Sequence, residues 1–251
     1  MTPFEEAAKQ LRWLLGAKER HKHPELWELY LEERRLPFVL QKLLTKNSCG
    51  VDVGSHIGSF LSLLVRNAPK GHHVAFEPVR VKCNWLRRRF PDVQVFQCAI
   101  CNENGRALFE ENIARPGFSR LRKGKGELPA ASVGYEVQTR RLDDVLTDDY
   151  RVDLIKLDIE GAEFAALLGA KKVIKKWRPV LIFECGSEYG LDSNNASRRV
   201  LYDLITEELG YEIFCFADFL SNKGRLAFEE FYKCGLYPFR AFNFVALPRS
   251  A

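Results

Sequence analysis

The sequence predicts an α/β protein built on a doubly wound, mostly parallel sheet. From Cys49 onward, short apolar stretches alternate with longer stretches of helical periodicity. The first apolar stretch ends in the turn Asp52-Val-Gly-Ser-His-Ile-Gly58, which leads into apolar residues at helical spacing. The 251 residues, 46% of them hydrophobic, are enough for one sizeable core with an appendage.

Residues 1–46 are expected to form a helical arm, and residues 47–251 the main domain. Thr2-Pro-Phe-Glu5 has the hydroxyl, the proline and the glutamate of a capping box at a helix start. Pro24 begins a second predicted helix, and Pro37 limits a third. The arm either packs on the sheet or covers its site as a lid, and we expect packing alone.

In the main domain, strand and helix patterns follow one another in order. Strands are expected at Gly50–Val53, His73–Phe76, Val93–Ile100, Tyr135–Arg140, Asp153–Asp158, Val180–Cys185, Tyr211–Phe216 and Phe242–Leu247. Helices are expected at residues 58–67, 80–89, 161–176 and 196–209. The segment Arg115–Gly126 combines glycines with arginines and lysines, and it is expected to be either a solvated loop or a substrate-facing one.

Composition narrows the class of protein. The formal net charge of +5 is small for this length, which disfavours nucleic acid as the main partner. Seven cysteines are scattered, and Cys98 and Cys101 fall in or beside an apolar run, so we expect core thiols and a cytoplasmic protein. The acidic N-terminus does not look like a signal peptide, and no apolar run approaches the ~20 residues of a membrane span.

The glycine turn and the acid after the second strand predict a site for a nucleotide-like cofactor. Glu77 lies about 20 residues after Gly58, where an acid can reach ribose hydroxyls. The spacing of Gly54 and Gly58 differs from the dinucleotide fingerprint. Asp52 would repel a pyrophosphate but suits an ammonium and a sulfonium group, so the expected cofactor is S-adenosylmethionine.

Acids follow four of the predicted strands, and we expect them at one edge of the sheet. They are Asp52, Glu77, Asp158 with Glu160, and Glu184. One alternative is structural, because Asp158 or Glu160 can cap the helix that begins near Gly161. Five acids on one edge favour a shared site instead, since buried carboxylates without a role are costly.

Several motifs in this order resemble the FkbM-type S-adenosylmethionine-dependent methyltransferases. They are Val51-Asp-Val-Gly-Ser-His-Ile-Gly58, Phe76-Glu-Pro78, Arg141-Leu-Asp-Asp144, Ile155-Lys-Leu-Asp-Ile-Glu-Gly-Ala-Glu163, Phe183-Glu184 and Asn243-Phe-Val-Ala-Leu-Pro248. The resemblance implies a class I methyltransferase, Rossmann-like sheet of seven strands with the last one antiparallel. It also implies methyl transfer, usually to oxygen, on a sugar or a natural-product small molecule. His56 stands where many members have Asn, and the arm and residues 217–240 match nothing.

The resemblance and the strand ends together assign roles. Cofactor contacts are expected from Asp52, Gly54, Ser55, His56, Gly58, Glu77, Pro78, Ala99, Ile100 and Asp158. The expected general base is Glu160, followed by Asp158 and then His56. Acceptor contacts are expected from Ser119, Arg120, Arg122 and Glu184, and the basic loop favours an acceptor with a phosphate or carboxylate group. No metal is expected, because no His/Cys ligand set is present.

Two alternatives stay open at this point. One is an N-methyltransferase acting on a peptide side chain or a small molecule. The other is a Rossmann-like nucleotide-binding module without catalysis. For the O-methyltransferase, the expected partner is a small-molecule or glycan acceptor, and no association with a membrane is expected. The sequence does not indicate an oligomeric state.

Overall fold

A seven-stranded sheet forms the centre of the fold. The computed structural model describes residues 10–11, 13–115, 117, 119–122, 128–186 and 195–249. Its strands are β1 Gly50–Val53, β2 His73–Phe76, β3 Gln94–Phe96, β4 Ala99–Ile100, β5 Gly105–Asn112, β6 Arg120–Leu121, β7 Ser132–Arg140, β8 Leu154–Leu157, β9 Val180–Glu184, β10 Tyr211–Cys215 and β11 Asn243–Pro248. The order in the main sheet is β10-β11-β9-β8-β1-β2-β3, and β11 runs in the direction opposite to the other six strands. The predicted fold class is confirmed.

The central strands are buried on both faces, as their apolar sequences predict. Every residue of β1, β2 and β8 is buried, because helices cover the two sides of the sheet. Strands β1, β8 and β2 are neighbours, so their carboxyl ends lie side by side at one edge. The acids that follow these strands therefore come together.

A second sheet differs from the sequence prediction. Its order is β4-β7-β5-β6. The predicted strand Val93–Ile100 is divided between the two sheets, as β3 and β4, and Tyr135–Arg140 belongs to β7 in the second sheet. Strand β5 was not predicted, because its apolar residues are only the three consecutive positions Ala107, Leu108 and Phe109, which give neither a long apolar run nor an alternating pattern.

The helices mostly follow the predicted periodicity. They are α1 Ala17–Lys22, α2 Trp27–Tyr30, α3 Glu32–Leu43, α4 Ser59–Asn67, α5 Arg80–Arg89, α6 Leu142–Val145, α7 Glu163–Leu168, α8 Lys171–Trp177, α9 Asn195–Asp203, α10 Phe216–Leu220 and α11 Phe228–Cys234. The helix predicted at 161–176 is interrupted at Gly169, where a Cβ would lie 2.0 Å from the carbonyl oxygen of Cys101. The backbone before β5 therefore passes too close for a side chain.

The arm packs onto the main sheet through α3. Val39 and Leu40 are fully buried in a cluster with residues of α4 and α10. Pro37 lies inside α3 rather than limiting it, which corrects the prediction. The proline leaves the carbonyl of Glu33 without its helical donor, and this residue is exposed to water. The predicted capping box lies outside the described residues, and the domain boundary at residue 46 stays a prediction.

Within the described part of the chain, none of the helices combines the length and the apolar character needed to cross a membrane.

Candidate active site

The glycine turn after β1 requires glycine at two positions. Gly54 and Gly58 have φ angles of 82° and 86°, in the left-handed region that glycine adopts without strain. A Cβ on Gly54 would lie 2.1 Å from the carbonyl oxygen of Asp158. The turn is held to the end of β2 by hydrogen bonds from the N–H groups of Gly54 and Ser55 to the carbonyl of Phe76, at 3.0 and 3.1 Å. Its backbone therefore crosses directly over the end of β8.

Glu77 connects the second strand end to this turn. Its side chain accepts hydrogen bonds from the N–H of His56 and from the N–H of Val79, both at 2.9 Å. The residue is only 4% exposed. Burial raises the pKa of Glu77 to about 7, against the opposing effect of the two N–H donors. Protonation of this carboxyl is therefore accessible near neutral pH.

Lys156 joins Asp52 to Asp158 beneath the turn. Its Nζ lies 3.3 Å from Asp52 Oδ1 and 3.3 Å from Asp158 Oδ2, and it donates a hydrogen bond of 3.0 Å to the carbonyl oxygen of Gly54. Burial alone would lower the pKa of Lys156, but the charges of Asp158 and Asp52 outweigh burial and raise it. Lys156 is therefore charged, although it is buried.

Three carboxyl groups converge beside this lysine. Oxygens of Asp158, Glu160 and Glu184 lie within 4.8 Å of one another. Burial and the charge of Asp158 raise the pKa of Glu184 far above its usual range, and Glu184 hydrogen-bonds to Asp158. Burial also opposes ionisation of Asp158, but Lys156 and this hydrogen bond hold the pKa of Asp158 below its usual range. The proton shared by this pair therefore sits on Glu184.

Glu160 and His56 are the other titratable groups of this edge. Burial, followed by the charges of Asp158 and Glu163, raises the pKa of Glu160 to about 8. Burial and Lys82 lower the pKa of His56, so its imidazole is neutral at pH 7. Both residues have positive φ angles, 54° and 50°, which non-glycine residues adopt at a cost of about 1–3 kcal/mol. Such strain is typical of functional positions.

Two cavities meet at these groups. The narrow cavity, about 60 Å³, is lined by residues that include Phe76, Glu77, Pro78, Ala99, Ile100 and Phe109. The wide cavity, about 470 Å³, is lined by residues that include Glu32, Glu33, Leu36, Phe60, Lys156 and Glu184. Both are lined by Gly54, His56, Gly117, Asp158 and Glu160. The edge of the sheet therefore offers two adjoining compartments with ionisable groups at the junction.

Most of the predicted site residues lie at this edge of the sheet, but they differ in which of the two cavities they line. Glu77, Pro78, Ala99, Ile100 and Ser119 line the narrow cavity, whereas Ser55 and Glu184 line the wide one. Asp52 and Gly58 line neither, since Asp52 is fully buried behind the lysine and Gly58 begins the packing of α4. Their predicted contacts with a cofactor are not visible in the geometry.

The two arginines of the predicted acceptor loop are not among the residues that line either cavity, although the charge of Arg120 acts on Glu160 at the junction. Arg120 and Arg122 approach Glu110 Oε2, at 3.7 and 4.0 Å. Glu110 is buried in the second sheet, so these cations compensate an internal charge. Residues 123–127 of the loop lie outside the described part of the chain.

Some lining residues were not predicted. Lys156 stands inside an apolar strand, directly opposite Asp52 in the register of β1 and β8, and a charge within a buried strand was an available signal. Phe109 belongs to the unrecognised strand β5, and Glu32, Glu33 and Leu36 come from the arm. No local pattern in the arm indicates that it reaches the site, because only the tertiary packing of α3 brings it there.

The site fits a nucleoside cofactor, and its acids also bear on the question of a metal. His56 Nε2 is buried and makes no hydrogen bond to any described residue, so the junction of the cavities holds a polar atom available to a ligand. The apolar walls of the narrow cavity suit a purine, and Glu77 can accept further hydrogen bonds from hydroxyls.

The three clustered carboxyl groups could in principle bind Mg²⁺ or Ca²⁺, which prefer oxygen ligands. The expectation that no metal is needed stays a prediction.

Comparison with known proteins identifies the family. The model of a family described as the methyltransferase FkbM domain matches residues 52–213. Methyltransferase sdnD of Sordaria araneosa is 28% identical over 178 residues, which cover 54% of this chain and 69% of that protein. The 2-O-methyltransferase NoeI of Sinorhizobium fredii is 26% identical over 171 residues, which cover 62% and 70%.

A solved structure supports the same fold. The methyltransferase FkbM of Methylobacillus flagellatus superposes with a TM-score of 0.51 at 20% identity. The match covers 81% of this chain and 44% of the other, so this chain spans less than half of that protein's length. Because the family model matches more than half of its residues, the chain belongs to the FkbM methyltransferase family.

Proposed function

We propose that the protein is an S-adenosylmethionine-dependent O-methyltransferase that acts on a hydroxyl group of a sugar or a natural-product small molecule. The observation that carries this proposal is the meeting of two cavities at His56, Asp158 and Glu160. A methyltransferase needs a donor compartment and an acceptor compartment that open onto one point, because methyl transfer is an in-line displacement. The family membership supports the choice of reaction.

The narrow cavity is the proposed cofactor compartment. S-Adenosylmethionine supplies, when bound, a methyl group on a positively charged sulfur. Ala99 and Ile100 would border the adenine, and Glu77 would accept hydrogen bonds from the ribose hydroxyls. Asp158 keeps its negative charge at the junction, which suits a cationic donor.

Glu160 is the proposed general base. A hydroxyl acceptor has a pKa far above 7, so a group at the junction must take its proton. Glu160 has a pKa of about 8, close to the working range of a base, and it faces both cavities. Asp158 ranks second, because its depressed pKa makes it a weak base. His56 ranks third, although its Nε2 makes no hydrogen bond to a described residue.

The two alternatives receive less support. A carboxyl cluster beside the transfer point would favour the protonated form of an amine acceptor, whose lone pair is then not available for methylation. The relative NoeI is named a 2-O-methyltransferase, which supports transfer to oxygen here. A non-catalytic module would not require a second cavity at the junction.

The seven cysteines, all with free thiols, support our expectation of a cytoplasmic protein.

Product analysis tests the proposal. The protein would be incubated with S-adenosylmethionine carrying a ¹³C-methyl group and with panels of hydroxylated and amine-containing small molecules. S-Adenosylhomocysteine formation identifies an accepted molecule, and the ¹³C shift of the new methyl group identifies the atom that carries it. We expect an O–CH₃ signal with the native protein and one that forms about 10²–10⁴-fold more slowly with Glu160→Gln. An N–CH₃ signal would favour the N-methyltransferase, and turnover by Glu160→Gln within a few-fold of the native rate would exclude Glu160 as the base.

A further inference from the structure

Helix α5 concentrates positive charge at the surface, next to the glycine turn. The sequence of Arg80–Arg89 is RVKCNWLRRR, which contains five basic residues and no acid. The net charge of the whole chain is +5, so this short helix carries as much positive charge as the excess of the entire protein. A surface of this kind attracts anionic partners.

The inner face of α5 is fixed to the core. Cys83 and Leu86 are fully buried. A Cβ on Gly58 would lie 2.5 Å from the ring of Phe90, the residue that follows the helix, so this side packs closely against the start of α4. The helix is therefore held firmly, and its opposite face is directed to solvent.

The outer face of α5 exposes apolar side chains. Val81 and Trp85 are four residues apart, so they are neighbours on one side of the helix. Val81 is 76% exposed and Trp85 is 51% exposed. Ile57 of the glycine turn, 53% exposed, joins them, because the indole N–H of Trp85 donates a hydrogen bond of 3.3 Å to its carbonyl oxygen. These three residues form an apolar patch.

Positive side chains surround the apolar patch. Arg88 follows Trp85 by three residues and therefore lies on the same side of the helix, and Arg80 directly precedes Val81. Both arginines are exposed. The guanidinium carbon of Arg89 lies 5.9 Å from the ring centroid of Trp85. Apolar side chains among arginines and lysines are typical of helices that lie at the surface of an anionic membrane, because the former enter the interface and the latter attract the headgroups.

The aliphatic members of the patch favour lipid over nucleic acid. Single-stranded nucleic acid stacks its bases on aromatic rings, and Ile57 and Val81 have none. The interface of a bilayer accepts aliphatic side chains, and tryptophan is enriched there. The cytoplasmic leaflet carries the anionic lipids, which agrees with the compartment expected from the free cysteines.

We propose that the apolar patch and the arginines of α5 dock the protein on the surface of an anionic lipid bilayer. This docking needs no spanning segment, whereas the sequence expectation of no membrane association depended on the lack of an apolar run long enough to span. The inference is independent of the proposed function, since no group of the transfer site takes part in it.

The first test is co-sedimentation with vesicles of phosphatidylcholine alone and of phosphatidylcholine mixed with phosphatidylserine. It compares the native protein with Arg80→Gln/Arg88→Gln. The matched control is Lys172→Gln/Lys175→Gln, which removes the same charge from α8, a second basic helix whose apolar residues are buried or half-buried.

We expect the native protein to bind the mixed vesicles and not phosphatidylcholine alone. Arg80→Gln/Arg88→Gln should lower the partition coefficient about 30-fold, since each basic residue near an anionic surface contributes about fivefold. The α8 control should change it by less than about twofold, because exposed charges beyond a Debye length are screened. Absence of native binding, equal binding to both lipids or equal loss in the two double variants would overturn the proposal. Binding of a single-stranded oligouridylate in place of the vesicles would also overturn it and identify a nucleic-acid surface.

The second test asks which face of the protein touches the lipid. Brominated phosphatidylcholine in the mixed vesicles quenches the fluorescence of tryptophans that enter the bilayer interface. We expect quenching with the native protein and none with Trp85→Phe, which should still bind the vesicles because it keeps an aromatic ring. Equal quenching in Trp85→Phe would show that another face makes the contact and would overturn the proposal.

Discussion

Glu77 is expected to make cofactor affinity decrease as the pH falls through its pKa of about 7. Ribose hydroxyls donate to a carboxylate, so the ionised form of Glu77 is the form that binds. With a pKa of about 7, the carboxyl is about 90% ionised at pH 8 and about 10% ionised at pH 6. If only the ionised form binds, the Kd of S-adenosylhomocysteine rises about tenfold between pH 8 and pH 6, which is about 1.4 kcal/mol.

The assay is isothermal titration calorimetry with the native protein, Glu77→Gln and Glu163→Gln. Glu163 is a matched control, because burial also raises its pKa to about 7 but it lines neither cavity. Glu77→Gln should weaken binding by about 1.5–3 kcal/mol and remove the pH dependence, whereas Glu163→Gln should keep it. A native Kd that is constant from pH 6 to pH 8, or an unchanged affinity in Glu77→Gln, would refute the assignment of Glu77 to the ribose.

The other predictions concern catalysis, stability and metal. Glu160→Gln should lower kcat by about 10²–10⁴-fold at unchanged cofactor affinity, and retention of kcat within a few-fold would exclude this base. The kcat of the native protein should rise about tenfold from pH 7 to pH 9, because only ionised Glu160 accepts a proton. Gly54→Ala should lower the Tm and reduce the free energy of unfolding by at least about 1–3 kcal/mol. The control Gly224→Ala should leave the Tm unchanged, because a Cβ at that position has open space. Equal Tm values for the two variants would contradict the required turn geometry. Activity should survive EDTA, and a loss that magnesium restores would overturn the expectation that no metal is needed and make the three clustered carboxyls its candidate ligands.

The sequence predicted the centre of the fold well, because its strands are buried on both faces. Strands β1 and β2 begin and end at the predicted residues, and helix α5 spans the predicted range. The second sheet could not be predicted in full, since β5 contains only three apolar residues in a row, Ala107 to Phe109, and no alternating pattern. Its pairing with β7 depends on contacts between distant residues rather than on local periodicity.

For the site, sequence position predicted which groups share an edge but not which of them face a ligand. Strand ends bring Glu77, Asp158 and Glu184 to the cavities, as expected. Asp52 has the same kind of strand-end pattern, yet its register partner Lys156 covers it from the cavity side. The contact of the basic loop with an anionic acceptor stays a prediction; Arg120 and Arg122 lie beside Glu110, a residue of the strand that local patterns did not reveal.

The proposed function requires that the two cavities hold the methyl donor and the acceptor on either side of one transfer point. A crystal structure of the complex with S-adenosylhomocysteine tests it most directly. We expect the adenine against Ala99 and Ile100, and the ribose hydroxyls within about 2.6–3.2 Å of Glu77. The sulfur should lie at the junction beside Asp158 and Glu160, open towards the wide cavity. A nucleoside bound outside the narrow cavity, or a sulfur closed off from the wide one, would contradict it.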